Sequence, residues 1–186
     1  VMSLLDGSST VVGYATSSDG KEWSVQNSEV LSGGAGAWNS VGAPSVIKVG
    51  DNDYRMWYTH LETELTKSSL QTILTNMGKD GQKKDALLDL MDSTNTRIGY
   101  AISADGVVWN VQPSDALGGS GGAWDSVADP SVIKDGSTYR MWYTNGKKDI
   151  TKAIMDAMDP ATFGVAELVD ILDGTSAVIG YATSTD

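Results

Sequence analysis

The feature that most constrains this chain is that it repeats itself. Ala43-Pro44-Ser45-Val46-Ile47-Lys48 and Tyr54-Arg55-Met56-Trp57-Tyr58-Thr59 return as Asp129-Pro130-Ser131-Val132-Ile133-Lys134 and Tyr139-Arg140-Met141-Trp142-Tyr143-Thr144. Gly13-Tyr14-Ala15-Thr16-Ser17-Ser18-Asp19-Gly20 returns as Gly99-Tyr100-Ala101-Ile102-Ser103-Ala104-Asp105-Gly106, and starts a third time at Gly180-Tyr181-Ala182-Thr183-Ser184. Between these lies a shared Gly-Ala-Trp block, at Gly36-Ala37-Trp38 and Gly122-Ala123-Trp124. Repeats of this size are supersecondary units that bury their apolar faces against one another. They divide the chain into a first repeat, 1–97, and a second, 98–186, which ends in a truncated third copy over 178–186.

Each unit reads as four short strands. In the second repeat they fall at 130–134, 139–144, 98–103 and 109–117, taken in the order of the unit. The Tyr-Arg-Met-Trp-Tyr-Thr run suits a pleated, half-buried strand, because aromatic and branched side chains pack well on that surface. Ser-x-Asp-Gly between the third and fourth strands is turn chemistry, since Asp bonds its own backbone and Gly tolerates positive φ. Four antiparallel strands per unit is the pattern of a propeller blade. The fold expected is therefore mainly β with α insertions, in four-stranded antiparallel propeller-type blades.

The insertions fall between the second and third strands, at 60–96 and 145–177. Leu70, Ile73, Leu74 and Met77 lie at helical spacing, a Gly-Lys-Asp-Gly turn follows, and Leu87, Leu88 and Met91 resume the stripe. In the second insert Ile150, Ile154 and Met158 are spaced by four, Asp159-Pro160 breaks the run, and Val165, Leu168, Val169 and Leu172 form another stripe. Each insert predicts a helical hairpin with one apolar face, packed on the strands, on its counterpart or on another subunit.

Several function classes are disfavoured by composition. The 186 residues carry a formal net charge of -11, which repels phosphate backbones and argues against nucleic-acid binding. With no cysteine and one histidine, His60, the chain has no disulfide framework, thiolate site or multi-histidine metal centre. His60 opens the first insert and is expected in a solvated loop. The glycine-rich stretches 33–36 and 118–122 lack the lysine and following helix of a phosphate loop. No apolar run reaches bilayer length, so no membrane partner is expected. No cofactor or metal is expected either. Trp38 and Trp124, in glycine-rich connections, are candidates for stacking on a sugar ring, against the alternative of packing between units. Trp23, Trp57, Trp109 and Trp142 recur at fixed phase and read as core.

The set Asp-Pro-Ser-Val-Ile-Lys-Asp-Gly, Tyr-x-Met-Trp-Tyr-Thr and Gly-Tyr-Ala-x-Ser-x-Asp-Gly-x-x-Trp resembles the blades of the five-bladed β-propeller glycosidases. These are the arabinanase, levansucrase and invertase superfamily, glycoside hydrolase family 43 in particular. The resemblance covers roughly 11–59 and 97–144 and omits the helical inserts. It implies a carbohydrate-active protein, either a glycoside hydrolase or a sugar-binding module, with an aspartate before the first-strand proline as general base. Asp129 matches that aspartate; its counterpart in the first repeat is Ala43. Glycoside hydrolysis needs two carboxyl groups, one protonated and one ionised. Asp125, Glu62 and Glu64 are the candidates for the second by nearness to the rim. Any sugar site is thus expected to include Asp129 and Trp124, with Asp125 and Trp38 as further substrate-binding candidates, and to be absent from the equivalent place in the first repeat, where Ala43 stands. The competing expectation is a noncatalytic structural or interaction module in which Asp129 only caps a strand.

The order of strands leaves one complete unit and two partial ones, and unpaired sheet edges invite pairing. The expected partners are a carbohydrate and either further copies of the chain, joined through the terminal strands, or the remainder of a longer chain.

Overall fold

The computed structural model describes residues 9–34, 39–63, 66–79, 82–92, 94–118, 126–148, 157–159 and 175–185. Among these run the strands β1 (Val12–Thr16), β2 (Ser24–Leu31), β3 (Ser40–Gly50) and β4 (Asp53–Thr63). The helices α1 (Lys67–Met77) and α2 (Lys83–Asp92) follow. Then come β5 (Thr94–Ser103), β6 (Asn110–Val111), β7 (Ser126–Asp135), β8 (Thr138–Lys148) and β9 (Thr175–Ser184). The strands form three sheets: I is β1-β2, II is β3-β4-β5-β6 and III is β7-β8-β9. Every pairing is antiparallel, between strands adjacent in the chain. The described protein is mainly β, as expected from the repeated strand and turn motifs.

The sheets stack in chain order because the second strand of each unit carries large apolar groups on both faces. Successive residues of a strand point to opposite sides. In β4, Met56 and Tyr58 face sheet I and pack with Val12, Leu31, Val41 and Ala101. Trp57 faces the other way and packs with Ile98 and with Val127, Val132, Tyr139 and Met141 of sheet III. Two cores result, one on each side of sheet II. Val41 N–H donates to the Thr10 carbonyl (3.0 Å), which ties sheet II to the residues before β1. Val132 N–H donates to Ser45 Oγ (2.9 Å) and ties sheet III to sheet II.

Glycine in the third strand of each unit makes room for the tyrosine of the second. Tyr58 is opposite Gly99 and Tyr143 is opposite Gly180. A Cβ at Gly99 would lie 2.5 Å from Tyr58 Cζ, and one at Gly180 would lie 2.4 Å from Tyr143 Cζ. The tyrosine rings thus lie on glycine backbone.

The Ser-x-Asp-Gly turns form the same hydrogen-bond set twice. Ser17 Oγ donates to Asp19 Oδ1 (2.9 Å), which accepts from the backbone of Lys21 (2.8 Å) and Glu22 (3.1 Å). Ser103 Oγ donates to Asp105 Oδ1 (2.9 Å), which accepts from Val107 (2.8 Å) and Val108 (2.9 Å). Gly20 and Gly106 take φ of 74° and 77°, a region open to glycine at no steric cost. Those backbone N–H groups favour the charged form and hold both carboxyls below the ordinary aspartate value.

The first insert is a helical hairpin. Thr66 caps α1 by accepting from Ser69 N–H (3.0 Å), while Ser69 Oγ accepts from Thr66 N–H (2.8 Å). Ile73, Ala86 and Leu88 are buried, but Leu74, placed in the stripe by its spacing, is exposed. Lys84 is also buried, and its Nζ donates to the Met158 carbonyl (3.0 Å), so the hairpin touches a residue of the second insert. The rest of that insert, including Ile150, Ile154 and the stripe from Val165, lies outside the described residues.

Four expectations need correction. The inserts are shorter than 60–96 and 145–177, because the ladders run on to Thr63↔Thr94 and Lys148↔Thr175. His60 is accordingly a half-buried strand residue opposite Arg97, not a loop residue. The fourth strand at 109–117 is only Asn110–Val111 plus a bridge from Leu117 to Ile98, since Pro113, Ser114 and Asp115 interrupt the ladder. Trp23 and Trp142 are exposed, at 62% and 39%, and only Trp57 of the four recurrent tryptophans is fully buried.

Two outcomes follow. Gly99→Ala drives a methyl group into the buried Tyr58 ring and lowers stability by about 1–3 kcal/mol, measured by urea denaturation. Asp19→Asn and Asp105→Asn lower the melting temperature at neutral pH. The folded carboxyls titrate below their unfolded value, so the contribution is present above that value and vanishes as pH falls through the depressed one. The melting temperatures of wild type and variants therefore converge on acidification, read by circular dichroism.

Candidate functional site

Proline disfavours an α conformation in the residue before it, and non-glycine residues rarely take positive φ. Ala43 and Asp129 nevertheless have φ of 45° and 52°, each directly before a proline. The reason is a bulge. Pairing steps from Gly42↔Thr59 to Ser45↔Trp57, and from Ala128↔Thr144 to Ser131↔Trp142, so the first strand carries one extra residue each time. At Asp129 the kink is held by a donation from its N–H to Thr59 Oγ1 of sheet II (2.8 Å). Asp tolerates the left-handed region better than Ala because its short polar side chain can bond locally. The kink thus belongs to the repeat, whereas the carboxylate belongs to one copy of it.

Asp129 is exposed, at the end of sheet III away from the β7-β8 turn. Through its backbone N–H it bonds the neighbouring sheet. Trp124, Asp125, Trp38 and Glu64 lie outside the described residues. Glu62 lies in β4 with its backbone opposite Asn95.

Two of the concavities formed by the described residues lie elsewhere. One of about 300 Å³ opens between sheets II and III and is lined by Trp57, Tyr100, Leu117, Val132, Tyr139 and Met141. The other, about 860 Å³ and wide open, lies beside the β3-β4 turn and is lined by Asp53, Arg55, Tyr100, Ser103, Trp109 and Gln112, among others. Asp129 lines neither. The first is an apolar gap in a sheet interface. The second combines aromatic rings with planar hydrogen-bonding groups, the mixture that recognises a polar ring compound.

In that second concavity Arg55 is fixed by a two-pronged pair with Asp53, both contacts at 3.3 Å. The hydrogen bonds it donates to Asp53 push the guanidinium pKa up, and its carbon sits 5.3 Å from the centre of the Tyr139 ring. Burial pushes the Tyr100 hydroxyl up as well. Sequence reasoning missed this cluster because Arg55 sits in a strand run whose repetition speaks for packing. The signal that could have found it is the unit's second-strand Arg following an Asp two residues earlier, present at Asp53 and replaced by Thr138 in the other repeat.

No protein-family model matches the chain, and no curated protein matches it either. Solved structures do. One described as a glycoside hydrolase superposes with a TM-score of 0.53 at 17% identity, over 95% of this chain and 41% of that one. Another, a complex of BT0996 with RGII, superposes with a TM-score of 0.50 at 16% identity, over the same shares. Zg3597, a family 117 glycoside hydrolase from the marine bacterium Zobellia galactanivorans, overlaps less, with a TM-score of 0.41 at 20% identity over 57% of this chain and 29% of that one. The chain therefore spans about two-fifths of the length of the first of these structures. At such identities the likeness is one of fold, here a fold shared with a glycoside hydrolase.

Proposed function

We propose that the chain is a carbohydrate-active module whose sheets are propeller-type blades, similar to those of the arabinanase, levansucrase and invertase superfamily. Asp129 is its sugar-facing carboxylate. The observation that carries this reading is the pairing of Ala43 with Asp129. Both occupy the same left-handed, pre-proline bulge, so the backbone does not need a carboxylate there. An exposed acid placed on a rigid kink, where the sister repeat has a methyl group, has a chemical use instead. Fold likeness to a glycoside hydrolase supports the same class.

In this reading Asp129 is the ionised partner that orients or activates water, and Asp125, Glu62 or Glu64 is the protonated partner. Trp124 supplies the stacking surface. The second reading is a noncatalytic structural or interaction module, favoured by Ala43 standing in the place of the aspartate in the first repeat.

Calorimetric titration and reducing-sugar release against a panel of neutral and acidic plant polysaccharides distinguish the two. Hydrolysis that falls about 100-fold or more in Asp129→Asn, with sugar affinity kept, supports the catalytic assignment. Affinity that is lost in Asp129→Ala with no hydrolysis in the wild type supports a binding module. A sugar response unchanged in both variants overturns the role of Asp129.

A further inference from the structure

Antiparallel pairing lines up side chains from neighbouring strands on one face of a sheet. On sheet II, Arg55 of β4 is opposite Ile102 of β5, and Ile102 is opposite Asn110 of β6. One row further on, Trp57 is opposite Tyr100, whose carbonyl accepts from Gln112 N–H (2.9 Å). Residues two apart in a strand share a face, so both rows project on the side that Trp57 turns toward sheet III. Near the β3-β4 turn that face becomes the floor of the wide concavity, which Ser103 and Trp109 also line.

This corner is open in the unit itself. Thr16, Ser24 and Gln26 stand on sheet I in the places of Ile102, Asn110 and Gln112, with Thr16 opposite Ser24 as Ile102 is opposite Asn110. All three are exposed, although sheet II follows with its four strands. A following sheet thus buries Val12 and leaves these positions to solvent.

The groups around the concavity are held in place. Gln112 Nε2 donates to the Asn110 carbonyl (3.0 Å), as Gln26 Nε2 does to that of Ser24 (3.2 Å). Tyr100 is half-buried and rests on Trp57, with ring centroids 5.2 Å apart. The arginine recurs as Arg140, but that residue pairs with Asp135 (2.6 Å), whose place on sheet II is taken by Val49. Asp53, the partner of Arg55, itself lines the concavity, so both members of the pair are presented there. Trp23 Nε1 donates to the Gly20 carbonyl (3.3 Å), whereas Trp109 Nε1 is buried with no acceptor among the described residues.

Planar amides, an arginine-carboxylate pair and aromatic rings are the groups that answer a sugar ring. Its hydroxyls need donors and acceptors side by side, and its apolar face packs on an aromatic side chain. Charge narrows the class. Asp53 and Arg55 are the charged residues of this lining and neutralise each other, so an anionic ligand meets no uncompensated cation. The volume, about 860 Å³, lies in the range of small-molecule sites.

We propose that this concavity binds a neutral hexopyranose or its short oligomers, with Tyr100 as the stacking surface and Asp53, Arg55, Asn110 and Gln112 as hydrogen-bonding groups. It is a second site. Asp129 bonds Thr59, which lies four residues along β4 from Arg55, or about 13 Å at the rise of a strand. The proposal shares the sugar class of the Asp129 reading and does not rest on that residue.

Nitrogen NMR spectra of the intact, isotope-labelled chain are recorded during titration with cellobiose, maltose or lactose. The Trp109 indole signal, identified by its loss in Trp109→Phe, and the side-chain amide signals of Asn110 and Gln112 are expected to shift saturably with at least one of them. Glucuronate is expected to shift them less than glucose does. Gln112→Ala, and Asn110→Ala at an exposed position, are each expected to raise the dissociation constant about fivefold or more with the circular dichroism unchanged. Asp129→Ala is expected to leave these shifts intact, whatever becomes of its own role. The absence of a saturable shift with all three disaccharides overturns the proposal. So does binding that is undiminished in both amide variants, or tighter for glucuronate than for glucose. Loss of the shifts in Asp129→Ala also overturns it, and assigns the sugar to the other site.

Discussion

Strand β4 is buried on both faces, and the arrangement of the other sheets follows from that. Met56, Trp57 and Tyr58 are consecutive, alternate in direction and are each at most 7% exposed. Fully burying one side chain of that size is worth about 1.5–3 kcal/mol, so three together outweigh any single polar contact in the molecule. A sheet built on such a strand needs cover on two sides. Sheet I supplies it to Met56 and Tyr58, and sheet III supplies it to Trp57. Stacking in chain order is then the arrangement that needs the shortest connections.

The same residues have different energies in different copies. Trp57 and Trp142 share their neighbours in sequence, strand register and a tyrosine partner, yet one is 7% exposed and the other 39%. What differs, among the described residues, is the presence of a following sheet. The repetition in the sequence encodes an interface with two halves, and each copy of the unit carries both. Burial is therefore decided at the level of packing, one step beyond local structure.

This explains which parts of the fold were legible. Strand type, strand order and the Ser-x-Asp-Gly turns depend on neighbours close in the chain, and the pattern of residues stated them correctly. The helical hairpin was legible because its period differs from that of a strand. The core status of Trp23 and Trp142 was not, because recurrence reports the role of a position in the unit and says nothing of how many units surround it. The strand ends were misplaced for a similar reason. Residues 61–63 and 94–96 show no strand pattern of their own and are held in the ladder by each other. At the candidate site the sequence singled out Asp129 by its difference from Ala43, and could not show that both residues sit on the same bulge. It also passed over Thr59, whose hydroxyl holds Asp129 from a neighbouring sheet 70 residues away in sequence.

That bulge connects architecture to chemistry. A left-handed alanine costs about 1–2 kcal/mol relative to an ordinary conformation, and Ala43 bears that cost with no side chain to use it. The kink therefore has a structural purpose in both repeats. It shifts the first strand by one residue, so that Val41 and Val46, or Val127 and Val132, point to the same side although five residues apart. Without the extra residue, one valine of each pair would turn to the opposite face and the sheet-to-sheet core would lose it. An exposed carboxylate added at such a position inherits a fixed direction from the core beneath it. The strain at Asp129 is thus set by packing, and the functional role proposed for its acid asks for no additional conformational cost.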